Sequence, residues 1–218
     1  MPTVYLPYGS GSRVENGTLY LDMILDPSMP EYECLCDAYK GDAEMAIYVN
    51  DITELRTEVM VNAANGQLLK GGGVCGAIHR AAGPELEREC LALYPEGVKD
   101  GEVAVTQGFN TTAKWIVHAV APRSRGDGWG NIDALLNAYR NAILAADDLG
   151  AKSISIPSLG TGIYGWDVAK VALPVVRDAI APLLSEVHHL EMVIICCFTK
   201  DDAEHYAQAM REVIRVVN

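Results

Sequence analysis

The chain has 218 residues, half of them hydrophobic, and a formal net charge of −12. Length and composition suit one large α/β domain with a sizeable core and exclude a disordered chain. No apolar run reaches 18 residues, which excludes a helical membrane span, and no basic stripe appears, which argues against a nucleic-acid partner.

Residues 1–30 are rich in Pro, Gly and Ser, with one strand-like piece at Thr18–Leu25. They read as an N-terminal extension or an added hairpin, and residues 31–218 as the domain proper. Met1 to Ser12 lack a basic region followed by an apolar core, so no signal peptide is expected and the location expected is cytoplasmic. The six cysteines are then free thiols, and Cys34-x-Cys36 reads as alternating strand residues rather than half a metal site.

Tyr32–Tyr39 alternates weakly, Gly41-Asp42 makes a turn, and Met45–Val49 is a strand. Glu58–Val61 is a short strand running into Asn62-Ala63-Ala64-Asn65. Val74, Ala77, Ile78, Ala81, Ala82, Leu86 and Cys90 recur at helical spacing, which predicts one helix. Glu102–Thr106 and Trp115–Val120 are strands. Ile132–Leu149 is a helix capped by Asn131 or Asp133 and ended by Gly150. Ser153–Ile156 is a strand, and Asp167 caps a helix over Val168–Leu184 that Pro174 should kink. Val193–Phe198 is a buried strand and Asp201–Val217 a closing helix. Strands alternating with helices argue for an α/β layered sandwich.

Two stretches read G-x-G-x-x-G between a strand and a helix: Gly71 to Gly76 and Gly160 to Gly165. Glycine lets backbone N–H groups approach an anion closely, and a following helix adds free N–H groups and the positive end of its dipole. Two such loops suggest a ligand with more than one phosphate. A dinucleotide fingerprint fits the first loop poorly, because nine residues, Asn62 to Lys70, separate its strand from its first glycine. No acidic residue follows the second loop at the ribose distance, and there is no G-x-x-x-x-G-K-[ST] loop. A nicotinamide-dependent oxidoreductase is therefore a distant alternative.

Val61-Asn62-Ala63-Ala64-Asn65 followed by Gly71-Gly72-Gly73-Val74 and Gly76-Ala77-Ile78 resembles the first signature of the macro domain family. Ile156 to Gly165 resembles the second, Asp51-Ile52-Thr53 the triplet that precedes the first, and Val117 to Pro122 the strand that ends in Gly-Pro. The resemblance covers about residues 32–218. It implies a three-layer α/β/α sandwich around a mixed, mostly parallel sheet, and a cleft for ADP-ribose, free or carried on protein. Asp51 would then accept from the adenine amino group, with the Ile52 backbone supporting the ring and Phe198 stacking on it. Asn65 would contact the distal ribose. Gly71, Gly72, Gly73 and Val74 would wrap that ribose and the diphosphate. Ser158, Gly160, Thr161, Gly162, Ile163 and Tyr164 would cover the diphosphate from the other side, Tyr164 against the distal ribose.

Each role has a plainer reading beside it: Asp51 as a turn cap, Asn65 as an Asx turn, Tyr164 as loop packing, Phe198 as core. Asn62 is expected to hold the loop from beneath. The family resemblance also implies hydrolysis of an ADP-ribose ester, on a mono-ADP-ribosylated protein or O-acetyl-ADP-ribose, with Asn65, Gly73 and Cys75 as the residues nearest the reaction. Cys75 stands where the hydrolase branch usually has aspartate, so a non-catalytic ADP-ribose reader is the alternative. Gly160 stands where many members have serine. His79 follows Cys75 at i+4, so a Cys–His pair is conceivable, against the simpler reading of a small packing residue. No cofactor, metal or membrane partner is expected, and the chain is expected to be a monomer.

Overall fold

The computed structural model describes residues 12–15, 18–21 and 43–217. Ser12–Glu15 (β1) and Thr18–Leu21 (β2) pair antiparallel as a two-stranded sheet of their own. The rest of the Thr18–Leu25 expectation, Tyr32–Tyr39, the Gly41-Asp42 turn and Cys34-x-Cys36 lie outside the described residues.

The main sheet has six strands in the order β3-β8-β7-β4-β6-β5. These are Glu44–Val49 (β3), Val59–Ala64 (β4), Val103–Gln107 (β5), Trp115–Val120 (β6), Ser153–Pro157 (β7) and Met192–Cys197 (β8). All neighbours run parallel except β5, which pairs antiparallel with β6 at one edge. The strands are apolar on both faces because both faces are covered. In β8, Val193, Ile195 and Cys197 enter one core while Ile194 and Cys196 enter the other.

Gly73–Ala82 (α1) and Pro84–Leu93 (α2) cover the face carrying Met60, Ile116 and Ile194. Ile132–Asp148 (α3), Val168–Pro174 (α4) and Lys200–Val217 (α5) cover the face carrying Val61, Val117 and Ile195. The three-layer α/β/α sandwich expected from the sequence is the architecture observed.

Three local expectations need correction or sharpening. The single helix expected over Val74 to Cys90 is two helices, broken at Gly83 with φ 92 and restarted by Pro84 in the first turn of α2. A positive φ suits glycine, and proline needs no N–H acceptor at a helix start. Strand β4 runs to Ala64 rather than Val61, because Asn62, a polar residue, is paired inside the sheet. The helix after Asp167 is α-helical only to Pro174. It widens to a π-helical segment at Val175–Ile180 and tightens to a 3₁₀ turn at Ala181–Ser185, as a proline that cannot donate its N–H dictates.

Candidate functional site

In a parallel sheet the C-terminal strand ends face one side, and ligands of open α/β sheets bind there. That side here collects Asp51 after β3, Phe198 after β8, Ser158 to Gly165 after β7, Asn65 after β4 and Ala121 to Arg123 after β6. Five strands span four gaps of about 4.8 Å, roughly 19 Å in all. A cleft of about 250 Å³ opens over β7, β4 and β6. Its walls are Ala63, Ala64, Asn65, Gly71 to Cys75, Ala121, Arg123, Ser158, Gly160, Gly162, Ile163 and Tyr164.

The first wall is the start of α1. Gly72 is its N-cap, and no side chain caps it. The first-turn N–H groups of Gly73, Val74 and Cys75 have no helical acceptor. A Cβ at Gly73 would meet nothing within 4 Å, so an anion can come against the backbone there. The opposite wall is the loop after β7. The N–H groups of Thr161, Gly162, Ile163 and Tyr164 have no acceptor among the described residues, and Gly162 is likewise open. The two loops touch where Ile163 Cδ1 sits over Gly72, 2.9 Å from where a Cβ would be.

The loop after β7 is anchored from below. Leu159 N–H donates to Tyr139 Oη at 2.7 Å, Tyr139 and Tyr206 share a hydrogen bond of 3.0 Å, and Tyr206 meets Ser158 Oγ at 3.0 Å. Burial pushes both tyrosines well above the ordinary phenol range, so they stay neutral. Gly160 has φ +80, and a Cβ there would lie 2.6 Å from the Trp166 ring. Glycine at this position is required by the indole beneath it. Trp166 in turn donates Nε1–H to Pro122 O at 2.7 Å.

Asn65 lines the cleft, but its side chain serves its own loop. Nδ2 donates to Leu69 O at 2.6 Å, and Oδ1 accepts from Gln67 N and Leu69 N. Those bonds explain how the long spacer before Gly71 is held. Cys75 is 5% exposed. Its Sγ lies 3.7 Å from Leu69 O and 3.8 Å from Asn62 Nδ2. Its described hydrogen bonds go to those atoms and none to His79. Asn62 is fully buried beneath the loop, as expected, and meets His118 Nδ1 at 3.0 Å, while His118 Nε2 meets Thr106 Oγ1 at 2.9 Å. Burial first, and His79 second, push His118 down to about 3. Burial also lowers His79.

Asp51, Ile52, Thr161 and Phe198 do not line the cleft. Asp51 Oδ1 accepts from Thr53 N at 2.9 Å and Thr53 Oγ1 at 2.8 Å, capping the 3₁₀ turn Ile52–Glu54, and Ile52 is buried. Thr161 Oγ1 donates to Ser158 O. Phe198 is 81% exposed, so it is not core; the residues that precede Asp51 and Phe198 meet where Asn50 N donates to Cys197 O at 3.1 Å.

Ala63, Ala64, Ala121 and Arg123 are cleft residues that sequence reasoning missed. The guanidinium of Arg123 lies 4.4 Å from the Tyr164 ring centroid. Only a contact between residues 41 positions apart reveals it, although Pro122-Arg123 directly follows the recognised strand. Among the described residues no three His, Cys, Asp or Glu side chains gather to hold a metal, and no helix is long and apolar enough to cross a membrane.

A comparison with protein families matches the Macro domain over residues 61–173. The macro domain-containing protein CT2219 of Chlorobaculum tepidum is 40% identical over 163 residues, covering 73% of this chain and 91% of the relative. The O-acetyl-ADP-ribose deacetylase 1 of Pantoea vagans is 41% identical over 169 residues, covering 75% and 94%. A solved mutant of the Oceanobacillus iheyensis macrodomain with ADPR is 36% identical, with a TM-score of 0.75 over 80% of this chain and 95% of its own. Twin glycine loops at the strand ends, the sheet order and these matches lead to one assignment: the chain belongs to the macro domain family.

Proposed function

We propose that the chain binds ADP-ribose in this cleft and hydrolyses ADP-ribose esters, on a mono-ADP-ribosylated protein or on O-acetyl-ADP-ribose. One observation carries the binding: two glycine loops face each other across the cleft with unpartnered N–H groups, the first at an uncapped helix start. Such a pair suits a diphosphate held mainly by backbone N–H groups, on a chain whose net charge of −12 gives an anion no long-range attraction. Asp51 and Phe198 lie on the adenine side, and Asn65 and Tyr164 on the distal-ribose side. Named relatives support the reading, since one is a deacetylase of O-acetyl-ADP-ribose and one solved macrodomain holds ADPR.

In the hydrolysis, water attacks C1″ of the distal ribose or the acyl carbon, the ester C–O bond at that carbon breaks, the leaving oxygen takes the proton that water gives up, and the products are ADP-ribose and a carboxylic acid. No cleft-lining residue is a carboxylate or a histidine. The substrate's own diphosphate therefore orients the water, while the glycine-loop N–H groups hold the ribose. The second reading, a reader without turnover, is favoured by Cys75, whose thiol faces Leu69 O where the hydrolase branch has aspartate. Calorimetry against ADP-ribose and NAD, followed by incubation with a glutamate-ADP-ribosylated protein, separates the readings. We expect 1:1 binding of ADP-ribose in preference to NAD, and release of ADP-ribose. Binding without release over hours selects the reader, and tight NAD binding without ADP-ribose preference overturns both.

A further inference from the structure

We propose that Arg123 is a specificity-determining residue that reads a carboxylate next to the ADP-ribosylated residue, so that the site prefers acidic peptide segments as carriers of ADP-ribose. This inference rests on the ADP-ribose reading above. In that reading the distal ribose lies between Asn65 and Tyr164, at the end of β4. Arg123 follows β6, the next strand outward, and lies on the opposite side of the ribose from Asp51 and Phe198. It therefore stands where the group carried on the ribose leaves the cleft.

The backbone that carries the guanidinium is held in place. Its neighbours in the chain are pinned on both sides, Pro122 O by Trp166 Nε1–H at 2.7 Å and Ser124 N–H by Tyr164 O at 2.9 Å. The Tyr164 ring supports the guanidinium from beneath at 4.4 Å. The rest of the loop is tied as well, with Arg125 N donating to Trp129 O at 2.6 Å and Lys170 Nζ to Asp127 O at 2.7 Å.

Among the described residues no carboxylate pairs with Arg123; Arg56, Arg80 and Arg125 likewise form no ion pair, but Arg123 is the arginine that lines the cleft. An exposed guanidinium stacked on Tyr164, without a carboxylate partner and on the rim of a cleft, leaves its planar fork of donors for a partner that arrives with the ligand. A carboxylate matches that fork. The loss of side-chain freedom that usually weakens a surface ion pair is reduced by the stacking on Tyr164.

The test uses two peptides of one length, each carrying ADP-ribose on its central residue through a non-hydrolysable triazole link. One is flanked by Asp and Glu and the other by Asn and Gln. Because binding is the readout, the test holds for a hydrolase and for a reader. The acidic peptide should bind about fivefold tighter at low salt, and the preference should shrink in 0.5 M salt. Arg123→Gln should abolish the preference, Arg123→Lys should keep part of it, and Arg177→Gln, the same charge change away from the cleft, should keep all of it. Equal binding of the two peptides by the unmodified protein, or a preference that survives Arg123→Gln, overturns the inference. If free ADP-ribose binds and the peptides do not differ, only the role of Arg123 fails. If free ADP-ribose does not bind, the site reading fails and the inference with it.

Discussion

Cys75 is the third residue of α1, with its thiol against Leu69 O and Asn62 Nδ2 and its backbone N–H among the unpartnered groups of the first turn. A carboxylate at this position would gain from the helix N-terminus and from the Asn62 amide, but would be repelled by the Leu69 carbonyl. It would thus turn toward the cleft, where no other carboxylate stands. We expect Cys75→Asp to raise the rate of ADP-ribose release about tenfold or more, the lower part of what a positioned acid–base group contributes. An unchanged rate in a single-turnover assay would argue that water is positioned without help from this residue. The same neighbourhood shows what a sequence hides. Cys75 and His79 are spaced to share a helical face, yet the described hydrogen bonds of the thiol go to Leu69 and Asn62. Spacing along a helix says which side chains can meet, and tertiary neighbours decide which do.

At the scale of elements, the two glycine loops line one cleft, as their sequences suggest, but the struts that hold them come from far away. Gly83-Pro84 was a legible helix break, masked by an apolar repeat that continues through it. The extra length of β4 was not legible, because Asn62 is polar and its partner His118 is 56 residues distant. The same holds for Arg123 on Tyr164, and for Tyr139 and Tyr206 under Ser158 and Leu159. Each is a single pair with no local signature. Asp147 is such a strut at the end of α3. Burial acts to raise its pKa, but N–H bonds from His188, His189 and Leu190 outweigh that and hold it below the ordinary carboxylate range. Asp147→Ala leaves those three donors without an acceptor beside α3. Urea unfolding at neutral pH should show a loss of about 3 kcal/mol. A loss below about 0.5 kcal/mol would mean that water replaces the carboxylate at no cost.

For the whole molecule, the buried polar chain through β4 and β6 links stability to pH. His118 is neutral in the folded protein, its pKa near 3 against 6.5 for a free ring. Below pH 6.5 the unfolded chain takes up a proton that the folded chain refuses, so stability is full above that value and falls as pH drops toward 3. At pH 4.5 the two-unit gap from 6.5 amounts to about 3 kcal/mol for this group. His118→Gln removes that contribution. The stability gap between the unmodified protein and the variant should therefore narrow by about 3 kcal/mol from pH 7.5 to 4.5, measured by denaturant unfolding. A gap that stays constant over this range would place the acid sensitivity in the carboxylates instead.

The buried tyrosine pair has a consequence for synthesis. Tyr139 belongs to α3, which precedes the glycine loop after β7, but Tyr206 belongs to α5 and leaves the ribosome forty-one residues after Gly165 ends that loop. A nascent chain short of α5 already carries every residue that lines the cleft, yet Ser158 Oγ still lacks its Tyr206 partner. Anchoring of the cleft floor during synthesis thus waits on a helix that contributes no residue to the lining.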